Sequence, residues 1–245
     1  MLDLYTEVLL DHLEVLVVIF AGLLCYLFFF FADHSVVFGR LFKALRLQPG
    51  SVKVLSSRLG GLLWLGVVPL LFLSLVSPVI SLSWLGFYHT AETWFWLLIL
   101  VPLPWLLAVF TSRSGRHRQQ YPEVREKVWD RRLLVVDLLC WALYLLGYEA
   151  FFRGVMLFGL IGSMDVWLVV AINTLFYSLV HLPKGAGETV GSIPLGILLC
   201  LVSLTTGSFW IAFLVHLSMA WSNELMSLRH HTEIQSPVQR RSLWQ

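Results

Sequence analysis

Residues 133–161 read LLVVDLLCWALYLLGYEAFFRGVMLFGLI. The run exceeds the ~20 apolar residues that carry a helix across a bilayer, and yet Asp137, Glu149 and Arg153 lie inside it. Outward from this stretch, residues 15–32, 59–88, 93–112 and 189–223 are free of Asp, Glu, Lys and Arg, and each reaches the ~18 residues of a transmembrane candidate. The whole chain of 245 residues is 58% hydrophobic and 13% charged, against about 25% charged in an average soluble domain. This composition excludes an ordinary soluble enzyme. A net charge of +2, with basic residues scattered among short loops, argues against a nucleic-acid partner and against disorder.

The expected fold is all-α, a polytopic transmembrane helical bundle of about seven spans near 14–32, 60–82, 92–111, 133–161, 165–182, 190–206 and 208–226. An amphipathic basic stretch occupies 34–58, and the run 59–88 has room for a kink or re-entrant section around Pro69 and Pro78. Of the 17 Lys and Arg, five fall in 40–58, seven in 113–132, one at Lys184 and three in 229–241. Arg153 alone lies outside these segments. With seven spans the four segments share one side, cytoplasmic by the positive-inside rule, so the N-terminus is expected outside and the C-terminus in the cytoplasm. The first residues carry Asp3, Glu7, Asp11 and Glu14 with no Lys or Arg, unlike a signal peptide. The charged loop 112–132 sets off N-terminal spans (1–132) from a core at 133–226, and 227–245 forms a tail.

Other polar and aromatic positions read as structural. Cys25, Cys140 and Cys200 lie in apolar stretches and are expected as buried thiols. The tryptophans, among them Trp84, Trp94, Trp96, Trp129 and Trp244, read as interfacial belts. Asp137 reads as a solvated helix-end charge, and His89, His117, His230 and His231 are assigned no role.

Chemistry concentrates in Glu149, Arg153, His181, His216 and Asn223. Ionisable groups are costly in a bilayer and are expected to face one another or a water-filled cavity. Glu149 and Arg153 are four apart with the acid first, the favourable order for a helical ion pair. His216 and Asn223, two turns apart, share a face. From the turn near 162–165, Glu149 lies about 20 Å down its helix and His181 about 24 Å down the next, so the two are level in antiparallel neighbours. A similar count from residues 207–208 puts His216 about 12 Å and Asn223 about 22 Å down the last span.

Three motifs coincide with these residues: Tyr148-Glu149-Ala150-Phe151-Phe152-Arg153-Gly154, Phe176-Tyr177-Ser178-Leu179-Val180-His181, and Phe213-Leu214-Val215-His216. In this order they resemble the CAAX-protease and bacteriocin-processing (CPBP, Abi-type) family of intramembrane glutamic endopeptidases. So do the segment His181-Leu182-Pro183-Lys184-Gly185-Ala186-Gly187-Glu188 and the Thr206-Gly207-Ser208 turn. The resemblance covers about 133–226. It implies a catalytic core in the C-terminal four helices and a protease in which a first-motif Glu and the second-motif His activate water, while the third-motif His and an Asn stabilise the oxyanion. Carried over by position, Glu149 and His181 take the first role and His216 the second, with Arg153, Tyr148, Lys184 and Glu188 in support. The chain departs from the family twice. Tyr148 stands where the first of two adjacent glutamates is usual, and Ala220 where the Asn is usual, so Asn223 is expected to substitute one turn later.

Other intramembrane proteases lack their marks here: the chain has no His-Glu-x-x-His, Gly-x-Ser-Gly or Gly-x-Gly-Asp. Two histidines and a glutamate are potential zinc ligands, but no cofactor or obligatory metal is expected. The expected partners are the bilayer and a membrane-associated peptide or protein substrate, with oligomeric state left open, and the expected setting is a bacterial inner membrane. Two other functions remain: a catalytically inactive membrane scaffold or immunity-type peptide-binding protein of the same fold, and a small transporter using Glu149, Arg153 and His181 as a proton relay. The absence of a repeat and of paired broken helices counts against the transporter.

Overall fold

The computed structural model describes residues 13–76, 86 and 90–238. Its helices run in the order α1 (Leu13–Phe31), α2 (Ser35–Phe38), a 3-10 segment (Gly39–Leu45), α3 (Pro49–Gly61), a π-helical turn (Leu62–Val67), α4 (Val68–Val76), α5 (Ala91–Leu100) and α6 (Pro102–Thr111). There follow α7 (Gly115–Gln120), α8 (Arg131–Glu149), a π-helix (Ala150–Phe158), α9 (Val166–Leu179), a 3-10 turn (Leu182–Lys184), α10 (Ala186–Thr206) and α11 (Trp210–His230). The chain is thus an all-α polytopic bundle, with no strand among the described residues.

Within the described residues each of the seven expected segments falls largely on helix, but length and composition qualify four helices as membrane-crossing: Pro49–Leu75, Ala91–Thr111, Arg131–Phe158 and Ala186–Thr206. A bent pair, Val15–Phe31 with Ser35–Leu45, brings the count to five at most among the described residues. The apolar α9 is shorter than a full crossing. The count of seven is therefore not confirmed. The second expected span begins earlier than the apolar pattern indicated, because Pro49 in the first turn has the backbone angle a helix start needs. Pro69 has no N–H for the Leu65 carbonyl, and the ladder widens into the π-turn Leu62–Val67 just before it. Pro78, Trp84, Trp244 and the acidic residues of 1–12 lie outside the described residues.

The chain forms two compact units, each assembled from three stretches of sequence. The first comprises 1–31, 64–93 and 147–212. At its centre is the π-helix Ala150–Phe158, buried from Ala150 to Leu157. Gly22 of α1 faces this helix, where an added Cβ would lie 3.0 Å from the Met156 sulfur and 3.4 Å from Phe151, the small-residue approach by which helices pack in lipid. Helices α9 and α10 pack together in the same unit. The Asp165 side chain starts α9 by accepting from the Trp167 and Leu168 amides, and Gly207 ends α10 in the left-handed region at φ 62°.

The second unit comprises 32–63, 94–146 and 213–245. Phe42, Leu55, Val124, Trp129, Leu133, Cys140, Leu228 and Ile234 form its core. The Trp129 amide donates to the Gln235 carbonyl (2.8 Å), and the Gln235 amide to the Lys127 carbonyl (2.9 Å), which ties the segment after α11 to the one before α8. Burial of Trp129 corrects its reading as a belt residue, whereas Trp94 is exposed. All three cysteines are buried, as expected.

Candidate active site

Glu149 ends α8 and Arg153 lies one turn on, in the π-helix. Neither has exposed surface, and Glu149 Oε2 lies 2.8 Å from Arg153 Nη1. The pair inferred from the four-residue spacing is formed. An uncompensated charge buried this deeply would be prohibitive, so the guanidinium and the carboxylate each make the other tenable. The Arg153 guanidinium also stacks over the Tyr177 ring, 4.7 Å from its centroid, and its Nη2 donates to the Gly196 carbonyl at 3.5 Å. The glycine leaves room beside the ring: a Cβ at position 196 would lie 3.1 Å from Tyr177 and 3.4 Å from Thr174.

His181 follows α9 and is half-buried. At this helix end the backbone ladder tightens, with the His181 amide donating to the Ser178 carbonyl at 3.0 Å. The Tyr177 carbonyl receives side chains instead: His181 Nδ1 lies 3.0 Å from it and the Tyr148 hydroxyl donates to it at 3.4 Å. A carbonyl only accepts, so Nδ1 carries the proton and the lone pair of the neutral ring is on Nε2. The Tyr177 ring meets Tyr148, Phe152 and His181 with centroids 5.6, 5.7 and 5.3 Å apart. Tyr177 therefore gathers Tyr148, Arg153 and His181 about itself, and Glu149 joins through Arg153. Of the supporting residues, Lys184 is exposed in the 3-10 turn and Glu188 is half-buried in the first turn of α10.

Sequence reading missed part of this arrangement. Asn173, fully buried on α9, donates through Nδ2 to the Phe152 carbonyl inside the π-helix, and its Oδ1 accepts from Cys200 Sγ at 3.3 Å. It ties α9 and α10 to the segment that carries Arg153. A single Asn in an apolar helix makes no motif; the only available signal was its polarity at membrane depth. Tyr177 acts through a backbone carbonyl and a ring face, for which spacing has no signature.

In the second unit, His216 is buried and Asn223 half-buried, both on α11. The Asn223 carbonyl accepts from His117 Nε2 at 3.4 Å. Burial keeps the His117 imidazole below its ordinary value of 6.5, with the Asn223 contact acting the other way.

The same unit corrects two charge assignments. Asp137 is fully buried, and Arg58, which the topology count grouped with the cytoplasmic loops, is 4% exposed. Arg58 Nη1 lies 2.5 Å from Asp137 Oδ1, and its Nη2 lies 3.2 Å from Glu123 Oε2 and 3.1 Å from Glu224 Oε1. Its guanidinium stacks 4.0 Å from the Trp141 ring centroid, and the Trp141 indole donates to Glu224 Oε1 at 3.0 Å. Asp137 is placed early in its span, but a partner 79 positions away takes it out of water.

Among the described residues, no three His, Cys, Asp or Glu side chains gather in a way that could hold a metal ion. Glu149 Oε2 is engaged by the Arg153 cation, and Nδ1 of His181 by the Tyr177 carbonyl. Residues 129–222 match the family model described as Rce1-like, type II CAAX prenyl endopeptidase Rce1-like. Comparisons with curated proteins and with solved structures gave no match.

Proposed function

We propose that the chain, whose residues 129–222 match the Rce1-like model in line with the CAAX-protease and bacteriocin-processing family, is an intramembrane endopeptidase that hydrolyses a peptide bond of a membrane-associated protein or peptide. The family is one of proteases and the chain an integral membrane protein. The observation that carries the reading is the cluster on Tyr177, which combines a fully buried carboxylate compensated by Arg153 with a histidine whose tautomer is set by a carbonyl.

In the proposed reaction a water oxygen attacks the peptide carbonyl while Glu149 takes the water's proton, with His181 Nε2 orienting the water. The tetrahedral intermediate then collapses, the carbon–nitrogen bond breaks, and the proton passes from Glu149 to the leaving amine. His216 and Asn223 supply donors for the oxyanion, each worth about 3–4 kcal/mol in a water-poor site. Tyr148, in place of the family's first glutamate, holds the Tyr177 carbonyl, and Glu149 alone is the base. Lys184 and Glu188 support the turn after His181. The reaction needs no metal. The proposed setting is a bacterial inner membrane, N-terminus outside and C-terminus in the cytoplasm.

The test is cleavage of a membrane-tethered peptide by the purified chain. Glu149→Gln and His181→Ala are each expected to lower the rate about 100- to 10,000-fold, the usual range for lost acid–base catalysis, while exhaustive chelation leaves the rate unchanged. Cleavage that persists in both variants refutes the proposal. Peptide binding without cleavage by any form marks the chain as a scaffold instead.

A further inference from the structure

The segment between α1 and α3 has no part in the chemistry above. From His34 to Arg58 the sequence contains five basic residues and no acid. Arg40, Lys43, Arg46 and Lys53 are exposed. So are Val36, Val37 and Leu41, at 77%, 66% and 66% of their surface, on the short α2 and the 3-10 segment that continues it. The segment does not hang loose. Phe42 is buried in the core of the second unit, with Phe38, Leu45 and Leu47 packed against it. Asp33 accepts from the Ser35 amide at 3.0 Å and from its hydroxyl at 2.6 Å, bonds that hold its carboxyl below the usual range. A fixed backbone therefore presents three bare aliphatic side chains beside exposed cations, and the helix that follows, Pro49–Leu75, is long and apolar enough to cross a membrane.

Apolar side chains interleaved with Lys and Arg, held next to a span, have the chemistry of an element lying in the headgroup layer. We propose that residues 35–46 form an in-plane foot that inserts Val36, Val37 and Leu41 among acyl chains and binds anionic lipid headgroups through Arg40, Lys43 and Arg46. The occupant is anionic phospholipid because the segment offers only positive charge. A cationic or neutral partner gains nothing from it.

The full-length chain with Val37→Cys carries one exposed thiol, the native cysteines being buried, and a bimane attached there reports the segment in vesicles. Bromine-labelled phosphatidylglycerol and bromine-labelled phosphatidylcholine, compared at equal mole fraction, both quench it, the anionic lipid several-fold more. Replacing Arg40, Lys43 and Arg46 with Gln removes that preference, by about fivefold per charge at most, and leaves quenching by phosphatidylcholine and the helical circular dichroism unchanged. Quenching by aqueous iodide with none by either lipid overturns the proposal. Equal quenching by the two lipids in the chain with all three basic residues overturns the headgroup assignment.

Discussion

Glu149 and Arg153 form a pair whose two side chains have no exposed surface. Removing one partner leaves a bare charge in the interior, a loss of about 3–5 kcal/mol in known cases. Arg153→Met is expected to lower the detergent-solubilised thermal midpoint sharply, and Glu149→Gln in the same chain to restore most of the loss. A double variant as unstable as the single one would mean that the pair is not what stabilises the site. This pair was legible from spacing, since residues four apart on a helix must meet. Asp137 was not. Its nearness to a helix start favoured solvent, and the guanidinium that holds it belongs to a helix 79 residues earlier. Tyr148 was visible as a departure from the family motif, but its hydrogen bond to the Tyr177 carbonyl was not.

At the scale of elements, the apolar runs located the helices well. The segment expected at 14–32 is Leu13–Phe31, and that expected at 165–182 is Val166–Leu179. What hydropathy could not show is the widened ladder at Ala150–Phe158, since a π-helix has no compositional mark and tends to occur where function requires it. Asn173 holds this element through the Phe152 carbonyl. Asn173→Leu keeps the branched shape but removes the side-chain donor to the Phe152 carbonyl, a cost of about 1–3 kcal/mol. Faster amide hydrogen exchange across 150–158 and slower peptide cleavage are expected together. Exchange unchanged in that segment would show that Asn173 does not hold it. Among the described residues only four crossings, or five, pass by length and composition, because α9 is short and α11 interrupts its apolar residues with His216, Asn223, Glu224 and several serines.

For the molecule as a whole, the sequence assigned nearly every basic residue to topology, and the structure removes Arg58 from that set. One guanidinium serves Asp137, Glu123 and Glu224 in the core of the second unit. Arg58→Met should destabilise the protein by at least the ~3–5 kcal/mol of a broken buried pair, whereas Arg40→Gln on the exposed segment should leave unfolding in denaturant unchanged. Equal effects would contradict the assignment of Arg58 to the core. Three short motifs in order carry the family resemblance, and the Rce1-like match over residues 129–222 agrees with that reading. The central claim is that this chain cuts a peptide bond with water and that Glu149 takes the water's proton. Its most direct test is the mass of the products formed from a membrane-tethered peptide in oxygen-18 water. One heavy oxygen in the new carboxyl group per cut, with the product nearly abolished in Glu149→Gln, is the predicted result; the same labelled product at an undiminished rate from Glu149→Gln, or no product from any form, would contradict it.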